Sequence, residues 1–361
     1  MGEEVNAAVT RDVAATLPAE TQRSAANGDS APIPRPCNMN PDPDAGRAPL
    51  TVTEAVMLAV TLCAAAGIEA EDAVIGYAPP RTNAVVLIPS AGLVARIGAD
   101  TGHRDRMRRE LATARYLAGH GIAVAEPIQD PPCPQLAVVD GRIVTWWRHL
   151  PDANHATIPQ LCSALRDLHT LPAPPARIGL GPFDPLARIP ADIEAATGID
   201  EKSRRVLQAH LSKLAARWYA SSWPRRPAVL LHGDAHLGNA LSTPDGRIHL
   251  IDFEDTSLGP WQWDLIGPIV FHRLGWTDDQ TLNIGIEAYG RDPRDETDLD
   301  VLVHIKLLRM TCLYAALTGR VTQLREQVRL RIASLSDESL LSGWWLTVPL
   351  ADLDDDVSRL S

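Results

Sequence analysis

The 361-residue chain has little lysine: Lys202, Lys213 and Lys306 stand against 31 arginines. With 45 acidic side chains against 34 basic ones, its formal charge is −11. That balance excludes a protein that coats nucleic acid, whose affinity comes from cations neutralising phosphates. Cysteine is scarce too. Cys37, Cys63, Cys133, Cys162 and Cys312 are scattered, odd in number and form no C-x-x-C pair, which argues against a disulfide framework and a thiolate zinc site and fits a reducing compartment. No apolar run approaches the about 18 residues a spanning helix needs, and the opening MGEEVNAAVTRD carries acids where a secretory signal has a basic and then an apolar region. A cytoplasmic protein is expected, with neither a membrane nor a nucleic acid as partner. No internal repeat with a period of roughly 20 to 50 residues is visible, so a solenoid is excluded.

What is present is a globular composition, 45% hydrophobic and 22% charged, in a chain long enough for two lobes. Residues 1–50 hold seven prolines, no aromatic side chain and no apolar period, and are expected to form a disordered extension. From Thr51 onwards, Val56, Leu58, Ala59, Leu62 and Cys63 recur at helical spacing up to Gly67. Three short β-branched runs follow, 73–77, 84–88 and 93–97, separated by APPRTN and PSAG, and read as an antiparallel meander. A helix over 104–117 and a hairpin over 136–147, turning at Asp140-Gly141, complete a small lobe of five strands and one inserted helix. Beyond Pro151 helical patterns dominate (158–170, 202–220, 281–289, 299–317 and 321–335). The expected class is α+β: a small antiparallel sheet over 51–148 and a larger, mainly helical lobe over 149–361.

One β segment interrupts the helical part. Residues 228–265 read AVLLHGDAHLGNALSTPDGRIHLIDFEDTSLGPWQWDL. An apolar strand delivers His232, Asp234 and Asn239 into a loop; the turn Thr243-Pro244-Asp245-Gly246 leads to a second strand that delivers Asp252. Polar side chains gathered at two strand ends suit phosphoryl transfer, in which a hydroxyl must be oriented, Mg²⁺ held against nucleotide phosphates and developing charge neutralised. The spacing H-x-D-x-x-x-x-N followed by an acid within I-D-F is that of kinase catalytic loops.

The segment resembles the aminoglycoside phosphotransferase and choline kinase-like family of small-molecule kinases, whose signature is HGDxHxxN, ID[FW] and GxxxxDL. Here it falls on His232, Gly233, Asp234, His236 and Asn239; Ile251, Asp252 and Phe253; and Gly259, Asp264 and Leu265. Upstream, LVARI and the helix RRELATARYLAGHG place Arg96 and Glu110 where the family pairs a strand cation with a helix acid to align the phosphates. The resemblance spans most of 51–345 and implies a two-lobed protein-kinase-like fold. It also implies ATP, with GTP as the alternative donor, and Mg²⁺.

By the same resemblance Asp234 is the general base or hydroxyl-orienting carboxylate, Asn239 and Asp252 are Mg²⁺ ligands, and Arg96, held by Glu110, faces the phosphates. His232 is grouped with the catalytic loop as a support of Asp234, and Asp264 is a further support. Trp147, at a hinge near 146–148, and the turn bearing Arg81, Thr82 and Asn83 would contact the nucleotide. Two features depart from the family: arginine replaces lysine at position 96, and the covering turn lacks glycines. Eleven residues between Asp252 and Asp264 leave no room for a phosphorylatable activation segment, so a small-molecule acceptor is expected.

Eight acids between 278 and 300 are read either as an acceptor wall for a cation such as an aminoglycoside or as a solvated loop. Amino alcohols and sugars are the rival acceptors, and a nucleotide-binding regulator with the same fold is the rival of another class. His169, His236 and the tryptophans 146, 261 and 263 read as packing residues. The oligomeric state is left open.

Overall fold

A computed structural model describes residues 50–77, 83–98, 104–129, 131–132, 135–319 and 321–344. Apart from Leu50, the extension expected over 1–50 lies outside the described residues, as do Arg81 and Thr82 of the expected phosphate-covering turn.

Helix α1 (Val52–Ala65) opens on a capping box in which Thr51 and Glu54 satisfy each other's backbone N–H groups. Strands β1 (Val74–Tyr77), β2 (Ala84–Ile88) and β3 (Leu93–Gly98) form the meander, helix α2 (Arg104–Gly119) follows, and β4 (Ala137–Val139) and β5 (Arg142–Arg148) make the hairpin. Asp140 and Gly141 both have positive φ, 49° and 69°, as a two-residue turn matched to strand twist requires. The sheet is antiparallel in the order β1-β2-β3-β5-β4. One face packs Val86, Ile88, Ala95, Ile97, Val144 and Trp146 against Ala55, Ala59 and Cys63 of α1. Helix α1 therefore shares this core and is a second helix beside the expected α2.

Arg96 lies opposite Thr145, and Val94 opposite Trp147, on the other face of the β3–β5 pair. There α2 contributes Leu111, Ala114 and Leu117 to a core that also contains Leu161 and Leu165 of α3 (Ile158–His169) and Leu250 and Phe253 near Asp252. This core joins the sheet to the segment that carries the site. The chain continues through β6 (Asn154–His155), α3, α4 (Ile189–Ala195), α5 (Glu201–Ala220), β7 (Val229–Leu231), β8 (Ala240–Ser242), β9 (Ile248–Leu250) and β10 (Ser257–Gly259). Strands β6-β8-β9 and β10-β7 form two small antiparallel sheets. Helices α6 (Gln262–Arg273), α7 (Asp279–Tyr289), α8 (Leu299–Leu317) and α9 (Leu324–Ser334) complete the helical part.

Helix α8 supplies Val301, Leu302, Ile305, Leu308 and Cys312 to the largest core, with Leu207 and Leu211 of α5 and Ile266 and Val270 of α6. Each such aliphatic side chain, fully buried, contributes roughly 1.5–3 kcal/mol. Among the described residues no helix is long and apolar enough to cross a membrane.

Candidate active site

Strand β7 ends at Leu231, and the chain turns through His232 and Gly233 into Asp234. Gly233 has a φ of +87°, and a Cβ there would lie 2.0 Å from the Asp255 carbonyl oxygen, so this close approach admits only glycine. Asp264 in the first turn of α6 fastens the same turn. Its Oδ2 accepts from the His232 N–H at 2.7 Å and its Oδ1 from the Gly233 N–H at 2.9 Å. His169 Nε2 donates to Oδ2 at 3.0 Å, while the Tyr289 hydroxyl donates to His169 Nδ1 at 2.9 Å, an orientation that fixes the ring's tautomer. Trp263 Nε1–H donates to the Gly233 carbonyl at 2.8 Å.

His232 differs from its grouping with the catalytic residues. Its ring is fully buried and donates from Nε2 to the Ile251 carbonyl at 2.9 Å, tying the loop to the residue before Asp252. It is a positioning residue, because burial leaves it no access to a substrate.

Asn239 donates from Nδ2 to the Asp234 carbonyl at 3.0 Å, which fixes the amide and leaves Oδ1 as its acceptor atom. Asp252 has a φ of +64°, a left-handed conformation that aspartate tolerates better than most residues, and its carboxylate is 42% exposed. Arg96 links three elements: one nitrogen pairs with the fully buried Glu110 of α2, and Nη2 lies 3.3 Å from Asp252 Oδ1 and 3.0 Å from Glu254 Oε1. Burial pushes the Glu110 carboxyl up, against the pull of Arg96 and reinforced by Asp252 and Glu254. Burial works against the Arg96 charge, but Glu110, Asp252 and Glu254 outweigh it and hold the guanidinium charged.

Asn83, the described residue of the expected covering turn, donates from Nδ2 to Glu254. Trp147 is buried, its Nε1–H donates to Thr145 Oγ1 at 3.0 Å, and the Arg96 guanidinium carbon lies 5.8 Å from its ring centroid. Its backbone pairs with Val94 on one edge and Pro127 on the other. Residues 146–148 thus lie within β5 and not in a free hinge, since the strand continues one residue past the expected end.

Asp234 is 40% exposed at the loop's surface, and its closest charged neighbour is Lys306 of α8, whose Nζ donates to Oδ1 at 3.1 Å. His236 Nε2 is 3.7 Å from Oδ2. Partial burial would raise the Asp234 carboxyl, but Lys306, then His236 and Arg309, overcome it and hold the group far below the usual carboxylate range. Lys306 is a neighbour of Asp234 that the sequence motifs do not reveal. Its signal is a lone cation within the apolar run VLVHIKLL. Of the acids between 278 and 300, Asp278 caps α7, Asp279 meets His272, Asp292 meets Arg294, Glu296 meets Arg226, and Asp300 meets Arg273 and His304. Those five serve caps and ion pairs, whereas the charged groups against Asp234 are cationic.

A sequence model of the phosphotransferase enzyme family (APH) matches residues 81–299. The chain belongs to that family. The phosphotransferase family makes it a small-molecule kinase, and solved kinases share the fold. A microcompartment-associated aminopropanol kinase is 18% identical with a TM-score of 0.60, over 82% of this chain and 98% of that one. An amicoumacin kinase, solved with AMP-PNP, Ca²⁺ and Ami, is 14% identical with a TM-score of 0.56, over 75% and 90%. A choline/ethanolamine kinase family protein from Mesorhizobium loti is 18% identical with a TM-score of 0.51, over 80% and 92%. At these identities the likeness is one of fold. No curated protein matches the sequence significantly.

Proposed function

We propose that this phosphotransferase moves the γ-phosphoryl group of ATP to a hydroxyl of a small polar molecule, with 51–148 as the nucleotide-binding lobe and 149–361 as the catalytic and acceptor-binding lobe. The observation that carries the reading is the Asp234 carboxylate, exposed at the end of a loop whose backbone is fixed by Asp264, with Asn239 tied to its own carbonyl. Phosphoryl transfer asks mainly for positioning and charge neutralisation, and a loop held at both peptide units before Asp234 provides the first.

In the step proposed, the acceptor hydroxyl oxygen bonds to the γ-phosphorus, the bond to the β–γ bridging oxygen breaks, and ADP leaves. The hydroxyl proton passes to Asp234. Because Lys306 keeps this carboxylate ionised, its main work is to accept the hydroxyl hydrogen bond and aim the oxygen. Lys306 adds positive charge beside the transferred group. Arg96 is suited to the phosphates as a permanently charged fork, with Glu110 fixing its direction.

The donor set at the strand ends fits a hard cation: the free Oδ1 of Asn239 and the exposed carboxylate of Asp252 offer protein oxygens, and the phosphates supply others. Mg²⁺ bound there would neutralise phosphate charge. Antibiotics, amino alcohols and sugars are the acceptor classes open to this chemistry. Five of the eight acids between 278 and 300 serve caps and ion pairs, which weakens their case for a cationic acceptor.

Asp234→Ala tests the reading. Turnover is expected to fall by about 10²–10⁴-fold while ATP affinity changes little, because the carboxylate acts on the acceptor and not on the nucleotide. Parallel loss of both, measured by steady-state kinetics and calorimetry, would remove Asp234 from its role. Asp252→Ala is expected to abolish the Mg²⁺ dependence of nucleotide binding, and retained dependence would take Asp252 out of the metal site.

A further inference from the structure

The two carboxylate oxygens of Asp234 have different surroundings. Oδ1 accepts from Lys306 Nζ at 3.1 Å, which anchors one side of the group. Oδ2 accepts no hydrogen bond from any described residue, and His236 Nε2 lies 3.7 Å from it. His236 stands two residues further along the same loop, and its ring is held from the opposite edge: the Gly238 N–H donates to Nδ1 at 3.0 Å. A ring nitrogen that accepts carries no proton, so the neutral ring bears its one proton on Nε2, the atom nearer Asp234. Glycine at 238 makes room for this, because a Cβ there would lie 2.8 Å from the ring's Cε1.

The two groups are close without satisfying each other. At 3.7 Å the Nε2–H and Oδ2 are beyond hydrogen-bond reach, whereas an oxygen placed between them reaches both at about 2.8 Å. That oxygen must donate to one and accept from the other, which a hydroxyl or water does and an ether, a carbonyl or an ammonium does not. Both side chains meet solvent, His236 at 38% exposure and Asp234 at 40%, so the gap is open to a ligand. This exposure sets His236 apart from the buried His169 and His232 and from the packing role expected of it.

We infer that His236 is a further acceptor-binding residue, whose Nε2–H and the Oδ2 of Asp234 grip the acceptor hydroxyl from two sides. This role rests on the proposed phosphotransfer at Asp234 and adds the group that holds the hydroxyl oxygen. The hydroxyl hydrogen points to Oδ2, one oxygen lone pair accepts from His236, and the other is left for the γ-phosphorus. As the new P–O bond forms and the bond to the β–γ bridging oxygen breaks, the hydroxyl proton passes to Asp234 and His236 keeps its own. A donor on the attacking oxygen weakens it as a nucleophile, but in a loose transition state that oxygen forms little bond and its aim counts for more.

The rival role is that of a cap, since Nδ1 satisfies the short helical turn Leu237–Asn239 that carries Asn239. Two substitutions separate the roles. His236→Asn keeps an acceptor for the Gly238 N–H, as in an Asx turn, and ends short of Nε2. His236→Gln places an amide N–H near the Nε2 position and gives up the cap. Label transfer from γ-labelled ATP to pooled antibiotics, amino alcohols and sugars is read with the full-length protein and Mg²⁺. His236→Asn is expected to lower kcat about 10–100-fold with the ATP KM near its wild-type value, and His236→Gln to recover part of that loss despite a lower Tm. Wild-type turnover by His236→Asn, with His236→Gln the poorer variant, would make the histidine a cap and overturn the inference. Should His236→Gln fail to fold, kcat of His236→Asn alone decides.

If the wild type itself transfers no label, the phosphotransfer reading fails, and ¹⁵N spectra of the histidine rings with AMP-PNP and the same pools decide the role of His236. Its signal is assigned by its absence from His236→Asn. A hydroxylated pool that shifts the Nε2–H signal in the wild type and not in Asp234→Ala sustains the pair as a hydroxyl site. No shift from any pool refutes it.

Discussion

Asp234 and Lys306 are 72 positions apart and meet at 3.1 Å. The first is legible from spacing, since a histidine, an aspartate and an asparagine held at fixed offsets between two apolar runs leave few other readings. The second is not, because only the packing of α8 beside the loop brings it there. Arg96 and Glu110 lie between these cases: their pairing is implied by the resemblance to the kinase family, but the sharing of Arg96 with Asp252 and Glu254 needs the fold.

That sharing has a pH signature. Burial, opposed by Arg96, makes Glu110 hold its proton to a higher pH in the folded chain than in the unfolded one, where a glutamate releases it near ~4.3. Between the two values the native state binds the extra proton, so this group's contribution to stability is complete below ~4.3 and is lost as pH rises through the folded value. Thermal melts are expected to show Tm falling more steeply above about pH 4 for the wild type than for Glu110→Gln. Identical slopes would mean that Glu110 is ionised throughout.

Helix α6 is the element the sequence hides best. Every residue from Gln262 to Val270 is buried, so no apolar stripe alternates with a polar one, and Pro268 inside it reads as a breaker. Helix α4 is only seven residues long, with a proline in its first turn, and begins where a Pro/Gly-rich stretch ends. By contrast β2, β3 and the Asp140-Gly141 hairpin follow directly from alternation and turn chemistry. Burial of α6 is what lets Asp264 reach two backbone N–H groups of the catalytic turn. Asp264→Ala would leave both without a partner, with His169 Nε2 beside them, and is expected to cost roughly 3–5 kcal/mol in denaturant unfolding. Asp264→Asn keeps one acceptor oxygen and should lose less. Equal, small losses would make the Asp264 contacts incidental to the loop.

At the scale of the molecule, Asp255 ties α2 through Arg106, the residue before α4 through Arg188, and α8 through Arg309 to the segment that follows Asp252. The convergence is not visible in the sequence, where the three arginines are spread among 31. Burial would raise the Asp255 carboxyl, but Arg188, Arg106 and Arg309 outweigh it and hold it below its ordinary value. A depressed carboxylate stabilises the fold above the unfolded value of ~3.9, and that stability is lost as pH falls through the folded one. Asp255→Asn is therefore expected to be less stable near neutrality and to show a shallower loss of stability below about pH 4, as read by acid titration of circular dichroism. An unchanged acid limb would mean that the three arginines do not hold the lobes through this carboxylate.

If the loop that carries Asp234 moves a phosphoryl group to a small hydroxylated molecule, the group itself can be followed. ATP labelled at its γ-phosphoryl group is incubated with the full-length protein, Mg²⁺ and pooled antibiotics, amino alcohols and sugars, and label in the acceptor is counted against ADP formed. Label is expected to be transferred in a one-to-one ratio with ADP, dependent on Mg²⁺ and lost in Asp234→Ala. ADP accompanied only by free phosphate, or label transferred equally by Asp234→Ala, would contradict it.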